Sequence, residues 1–167
     1  SARVLKLAGQ IEHLLDHEIV ALDPPAYNSA YAEVPNLNSL LARLHAQALA
    51  PLIRRHQNAG VLVDQFARAE VLERELRKIV SPLPEVQQRP KAEAHPAVAA
   101  ASILARAAFL EGLKQCQDSC GSDLHKGAGS PVDDAALRVV EIGGLQLLES
   151  VAKMHFKNTA KLPGNKA

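Results

Sequence analysis

The run Gly60-Val61-Leu62-Val63-Asp64 constrains this chain more than any other feature. Three aliphatic residues in succession, with no polar alternation, need cover on both faces, as in a strand inside a parallel α/β sheet. The run ends on a carboxylate, at the place where open α/β sheets carry their ligand-binding residues. Cover is available on either side in the sequence. Upstream, Leu37, Leu40, Leu41, Leu44 and Ala48 recur at helical spacing behind Asn36, a candidate cap, and Pro51 predicts a kink or break. Downstream, leucine spacing and charge pairing predict a helix over 68–78.

The remaining chain continues this alternation. Val4, Leu7, Ala8, Ile11 and Leu15 predict an amphipathic helix over 1–15. Residues 17–22 read as a short strand stopped by Asp23-Pro24-Pro25, with a turn-rich loop after it. A further strand is predicted over 86–91, confined to an edge by Pro90. Residues 97–116 form a long helix whose small-residue start allows close approach to a sheet or ligand. Glycines at 121, 127 and 129 interrupt, and Asp133 or its neighbour opens a last pair of helices broken at Gly143-Gly144. The pattern is α/β: a short, mainly parallel sheet with packed helices. It offers three strands at most, where sheets usually hold about four to six, so one edge is expected to pair with something outside this chain.

At 167 residues and 47% hydrophobic content, one core in one domain over 1–161 is expected, followed by a frayed tail over 162–167. Aromatic content is only 3%, which argues against an aromatic base-stacking platform. The net charge is +1, so any nucleic-acid affinity has to come from placement. No acidic residue follows Glu149, whereas Lys153, Lys157, Lys161 and Lys166 do, making either a positive patch or a solvated end. Cys116 and Cys120 share a helix face, with His125 the only nearby further ligand; a zinc site wants four, and reduced thiols in a cytoplasmic protein are expected. No apolar run approaching the ~20 residues of a membrane span is read here, and no signal core is seen. No membrane partner is expected.

Several residues carry chemistry on their own terms. Asp64, at a strand's carboxyl end, is either a cation ligand or the acceptor for loop and helix amides. Glu93 follows the second strand. Two carboxylates at neighbouring strand ends can share a hard divalent cation, Mg2+ or Mn2+; the plainer reading of Glu93 is a solvated loop residue. Lys126, with Gly127 and Gly129, forms either a phosphate-binding loop or a flexible turn. His155 is either a core histidine with a hydrogen-bonded tip or a proton carrier.

Several segments, in order, resemble ribonuclease HIII. They are Tyr27-Asn28-Ser29-Ala30-Tyr31-Ala32 with Asn36-Leu37-Asn38, Val63-Asp64-Gln65-Phe66-Ala67, Lys91-Ala92-Glu93, the helix start from Ala97 through Arg106, His125-Lys126-Gly127-Ala128-Gly129, and Lys153-Met154-His155-Phe156-Lys157-Asn158-Thr159. The resemblance implies a ribonuclease H-like fold and metal-dependent cleavage of the RNA strand of RNA/DNA hybrids. In that family four acidic residues, in the order Asp, Glu, Asp, Glu, hold two divalent ions, and Asp64 and Glu93 match the last two. It further implies substrate contacts at Asn38, Ser102, Arg106, Lys126, Gly127, Gly129, His155 and Lys157; for Ser102, Arg106 and Lys157 the bland alternative is a surface salt bridge or helix cap. The family's first Asp-Glu pair lies on an opening strand, and no adjacent Asp-Glu occurs in this chain. The fold is therefore expected to be incomplete at its N-terminal strands, with a missing N-terminal segment or second chain completing the sheet, and this chain alone is expected to be inactive. A degenerate hybrid-binding or interaction protein of the same fold is the alternative reading.

Overall fold

The computed structural model describes residues 2–159 and Leu162. The chain divides into two units: the chain up to Ala21 with Val34–Phe109, and Leu22–Glu33 with the chain from Leu110 onward.

The first unit is built on a β-α-β motif. Strand β1 (Val61–Asp64), helix α4 (Ala69–Arg77) and strand β2 (Val86–Arg89) follow one another, and the strands pair in parallel with Val61 opposite Val86 and Asp64 opposite Arg89. Val61 and Val63 point into a core with Leu72 and Leu76 of α4, while Leu62 is half-buried. The other wall is helix α3 (Leu37–Arg55), which contributes Ala46, Ala50 and Ile53 at helical spacing. Leu72 and Leu76 are fully buried, each stabilising by about 1.5–3 kcal/mol relative to exposure.

Asn36 caps α3 as expected, its side chain accepting from the Ser39 amide at 3.0 Å. Pro51 does not break the helix, which runs on to Arg55. Ala50 and Ile53, on either side of Pro51, are held in the core, and the carbonyl opposite the missing Pro51 N–H belongs to Gln47, an exposed residue.

Helix α1 (Ala2–Leu14) buries Ala8 against Leu104 and Ala107 of helix α5 (Pro96–Cys120), whose residues to Phe109 belong to this unit. The strand expected over 17–22 is absent. Among the described residues the segment has no neighbour that supplies a hydrogen-bonded ladder, and it carries no secondary structure. It is tied to the end of α3 by Asp16, which accepts from Arg55 Nε and His56 Nε2 at 2.8 Å each, and by Glu18, which accepts from Arg55 at 2.8 Å. These exposed ion pairs stabilise weakly and fade with salt.

The second unit opens with another correction. Residues 24–33 are not a loop but helix α2 (Pro24–Glu33), capped by Asp23, whose Oδ1 accepts from the Ala26 amide at 2.8 Å. The two prolines that stop a strand are equally good openers of a helix, where their missing N–H groups need no partner. Helix α2 packs on helix α6 (Ser130–Val151). Asn28 joins them: its Nδ2 donates to the carbonyls of Glu149 at 3.2 Å and Ala152 at 3.0 Å, and its Oδ1 accepts from the Met154 amide at 2.9 Å.

The core of this unit gathers Cys120, Val139, Leu148, Val151 and Leu162. Both cysteines are free thiols, and burial pushes the Cys116 thiol up from its ordinary range, with Cys120 and Asp23 adding to the shift. The break expected at Gly143-Gly144 is present, with Gly144 at φ 71°. Leu162 is buried, whereas Lys161, Lys166 and the rest of the expected tail, 163–167, lie outside the described residues.

Among the described residues there are two strands rather than three. Helix α5 also corrects the reading of apolar runs: it is long and apolar enough to cross a membrane by length and composition, with a mean hydropathy of 1.4 over its best window. Alanines spread along the helix raise that average without any large apolar block.

Candidate active site

In the first unit the carboxyl ends of β1 and β2 define one rim. Asp64 is the last residue of β1, opposite Arg89, and the ladder closes beyond it with the Gln65 amide donating to the Arg89 carbonyl at 3.1 Å. After Pro90 the backbone swings through Lys91 in the left-handed region, φ 56° and ψ 36°, into a single 3-10 turn, Ala92–Ala94. A lysine there costs on the order of 1–3 kcal/mol. The turn is held by Asp64, whose Oδ1 accepts from the Ala92 amide at 3.0 Å. Ala92 is buried, while Asp64 and Glu93 are exposed.

Asp64 accepts from a loop amide, the second of the two roles its position allows. One carboxylate oxygen anchors the loop, and the other is left for a further partner. Neither Asp64 nor Glu93 takes part in an ion pair among the described residues. Carboxylate oxygens are the hard donors that Mg2+ and Mn2+ prefer, so the pair fits such an ion in kind. It does not fit in number: these ions take about six oxygens, and among the described residues no three His, Cys, Asp or Glu side chains gather into a metal site.

The other candidate residues of the first unit, Asn38, Ser102 and Arg106, are exposed. Asn38 sits in the first turn of α3, one residue before the capped Ser39 amide. Ser102 and Arg106 lie one turn apart on α5, with the Arg106 guanidinium 5.3 Å from the Phe109 ring centre.

In the second unit, Lys126 and Gly127 stand in the exposed loop before α6, with Gly127 at φ 97° and Gly129 as the N-terminal cap residue of α6. The loop is fastened from the C-terminal side: Asn158 Nδ2 donates to the Ala128 carbonyl at 3.1 Å and to Asp133 Oδ1 at 2.5 Å. Lys157 is exposed. His155 is half-buried and packed between rings, 4.1 Å from Tyr31 and 4.0 Å from Phe156 between centres. Its Nδ1 is buried without a hydrogen-bond partner, so the hydrogen-bonded tip of the core reading is not found at that nitrogen. Burial pulls His155 below its ordinary 6.5, and Lys153 pulls it further. Lys153 is itself lowered by burial, its ammonium 4.2 Å from the Tyr27 ring centre.

Sequence reasoning missed this ring cluster and the role of Asn28. The available signal was the four-residue spacing of Tyr27 and Tyr31, which places both rings on one helix face.

The family model described as Ribonuclease HII matches residues 2–159. The chain is 38% identical over 161 residues to the ribonuclease HIII of Protochlamydia amoebophila, covering 96% of this chain and 53% of that protein. It is 39% identical over 166 residues to that of Chlamydia trachomatis serovar D, covering 98% and 55%. The structure of Bst-RNase HIII in complex with Mn2+ matches with a TM-score of 0.85 and 34% identity, covering 95% of this chain and 53% of the other. The chain thus spans about half the length of the relatives it matches. Their likeness extends over its sequence and its α/β backbone alike, giving it a ribonuclease H-like fold, and the chain belongs to the ribonuclease HII family.

Proposed function

We propose that this chain is a portion of a metal-dependent endonuclease that cleaves the RNA strand of RNA/DNA hybrids. The observation that carries this reading is the Asp64–Ala92 hydrogen bond, which ties the end of β1 to the turn bearing Glu93 and so gives two carboxylates one rim. Its supports are the family membership and the Mn2+ complex of a relative.

In this reading Asp64 and Glu93 are the catalytic carboxylates and hold the cations, Mg2+ or Mn2+. Bound there, a divalent ion supplies activation of the attacking water and charge stabilisation at the leaving oxygen. The chain's own residues do the positioning. Asp64 spends one oxygen on the Ala92 amide and turns the other outward, Lys126 with the amides of Gly127 and Gly129 binds a phosphate, and Asn38, Ser102, Arg106, His155 and Lys157 supply further strand contacts. The two strands β1 and β2 leave open sheet edges. A preceding segment or a second chain bearing the remaining carboxylates pairs at one of them and completes the sheet.

The test is cleavage of a labelled hybrid by this chain with Mg2+ or Mn2+, alone and mixed with the N-terminal half of a ribonuclease HIII. The expected result is no cleavage alone and cleavage on mixing that is lost with Asp64→Asn. Cleavage by the chain alone that survives Asp64→Asn would sink the reading. Hybrid binding without cleavage in either arm favours the noncatalytic alternative.

A further inference from the structure

The chain holds two tyrosines, three phenylalanines and no tryptophan, yet both tyrosines and one phenylalanine meet at one place in the second unit. Tyr27 and Tyr31, one turn apart on α2, lie 6.3 Å apart between centres and near parallel. Tyr31 stacks on His155 at 4.1 Å, and His155 lies 4.0 Å from Phe156. One end of this pile is closed, since Tyr27 is buried and covered by Lys153. The other end is open, because Phe156 is 47% exposed.

Three features set this pile apart from a satellite core. Its open ring stands beside the exposed Lys157, on a stretch that carries no acidic residue from Ser150 to the C-terminus. Two polar atoms within it, Tyr27 Oη and His155 Nδ1, are buried with no hydrogen-bond partner, a cost that native interiors seldom carry. Lys153 is occupied by the Tyr27 ring, whereas Lys157, the next lysine along, is exposed. An exposed aromatic face next to an uncompensated lysine suits an unpaired nucleotide: the base stacks on the ring and the phosphate meets the ammonium. A paired base inside a duplex offers no free face.

We infer that Phe156, backed by His155 and Tyr31, is a stacking platform for an unpaired nucleotide of a nucleic-acid strand, with Lys157 binding its phosphate. The expectation against a base-stacking platform rested on the number of aromatics, and this proposal rests on their placement. The inference rests on nucleic acid being this chain's partner, as proposed above, but needs neither metal nor cleavage.

With no tryptophan in the chain, intrinsic fluorescence reports on these two tyrosines alone. The experiment titrates the full chain, in EDTA, with a short oligo-thymidylate, the matching oligo-uridylate, and an abasic strand of equal length. Base-bearing strands are expected to quench the tyrosines and to bind roughly fivefold or more tighter than the abasic strand. Phe156→Ala and Phe156→Leu should both erase that difference, the leucine variant keeping the apolar bulk. Lys157→Ala should weaken all strands alike and flatten the slope of log affinity on log salt by about one. Equal binding of abasic and base-bearing strands overturns the platform while leaving nucleic-acid binding intact. No binding of any strand overturns both.

Discussion

Asp64 and Ala92 stand 28 positions apart in sequence and are joined by a 3.0 Å hydrogen bond from the Ala92 amide to Asp64 Oδ1. The bond fixes the left-handed turn at Lys91 and sets Glu93 one residue beyond the contact. Charge and hydrogen bonding at Asp64 can be separated. Asp64→Asn keeps an acceptor oxygen for Ala92 and removes the charge; it should leave stability nearly unchanged and lower Mn2+ affinity on the order of tenfold or more, as should Glu93→Gln, measured by calorimetric titration. Asp64→Ala should in addition cost about 1 kcal/mol of stability. Mn2+ affinity unchanged from that of the unsubstituted chain in all three variants would remove the metal role.

Asn28 links α2 to the end of α6 through three hydrogen bonds. Asn28→Ala deletes three hydrogen bonds and strands the Met154 amide. A loss of about 2–3 kcal/mol is expected in urea denaturation, with Asn28→Asp falling between, since a carboxylate accepts from Met154 but cannot donate.

The histidine within the ring pile makes stability depend on pH in a definite direction. His155 is held below its ordinary 6.5 in the folded chain, so the folded state resists a proton that the unfolded state accepts. Its contribution is therefore complete above 6.5 and is lost as pH falls toward the lowered value. His155→Phe, which keeps a stacking ring, should flatten stability against pH across that window, as read by melting temperature at a series of pH values. An unchanged slope would show that the histidine titrates freely.

Gly143 has no room for a side chain. A Cβ there would lie 2.7 Å from Leu147 Cδ2 and 2.8 Å from Leu147 Cβ, so Gly143→Ala should cost about 1–3 kcal/mol. Adding Leu147→Ala should cost less than the full sum of the two, because it removes the contact with Cδ2, whereas the contact with Cβ remains.

What the sequence made legible follows from how local each signal is. The cap at Asn36 and the leucine spacing behind it specify α3 within a few turns, and the Gly143-Gly144 pair announces its own break. The place of Asp64 at the end of β1 was readable because a strand end is a local feature, whereas Glu93 was singled out beside it through the family resemblance. Residues 17–22 were misread because a strand exists only with a partner, and partners are not local. Pro24-Pro25 carries one meaning as the end of a strand and another as the start of a helix, and only the Asp23 cap decides between them. Pro51 was overridden by the burial of Ala50 and Ile53. The ring pile was invisible because it unites α2 with a segment more than a hundred positions later, and a percentage of aromatics says nothing of where they meet.

The interruption in α6 has a consequence for phase. Val139 and Leu148 are both almost wholly buried and share one core, although nine steps of about 100° each would set them on opposite sides of an unbroken α-helix. The two non-helical glycines restart the count, so that each half of the rod aims its own apolar stripe inward. A single segment thereby feeds the same interior twice, where a straight one would have turned half of its large side chains toward water.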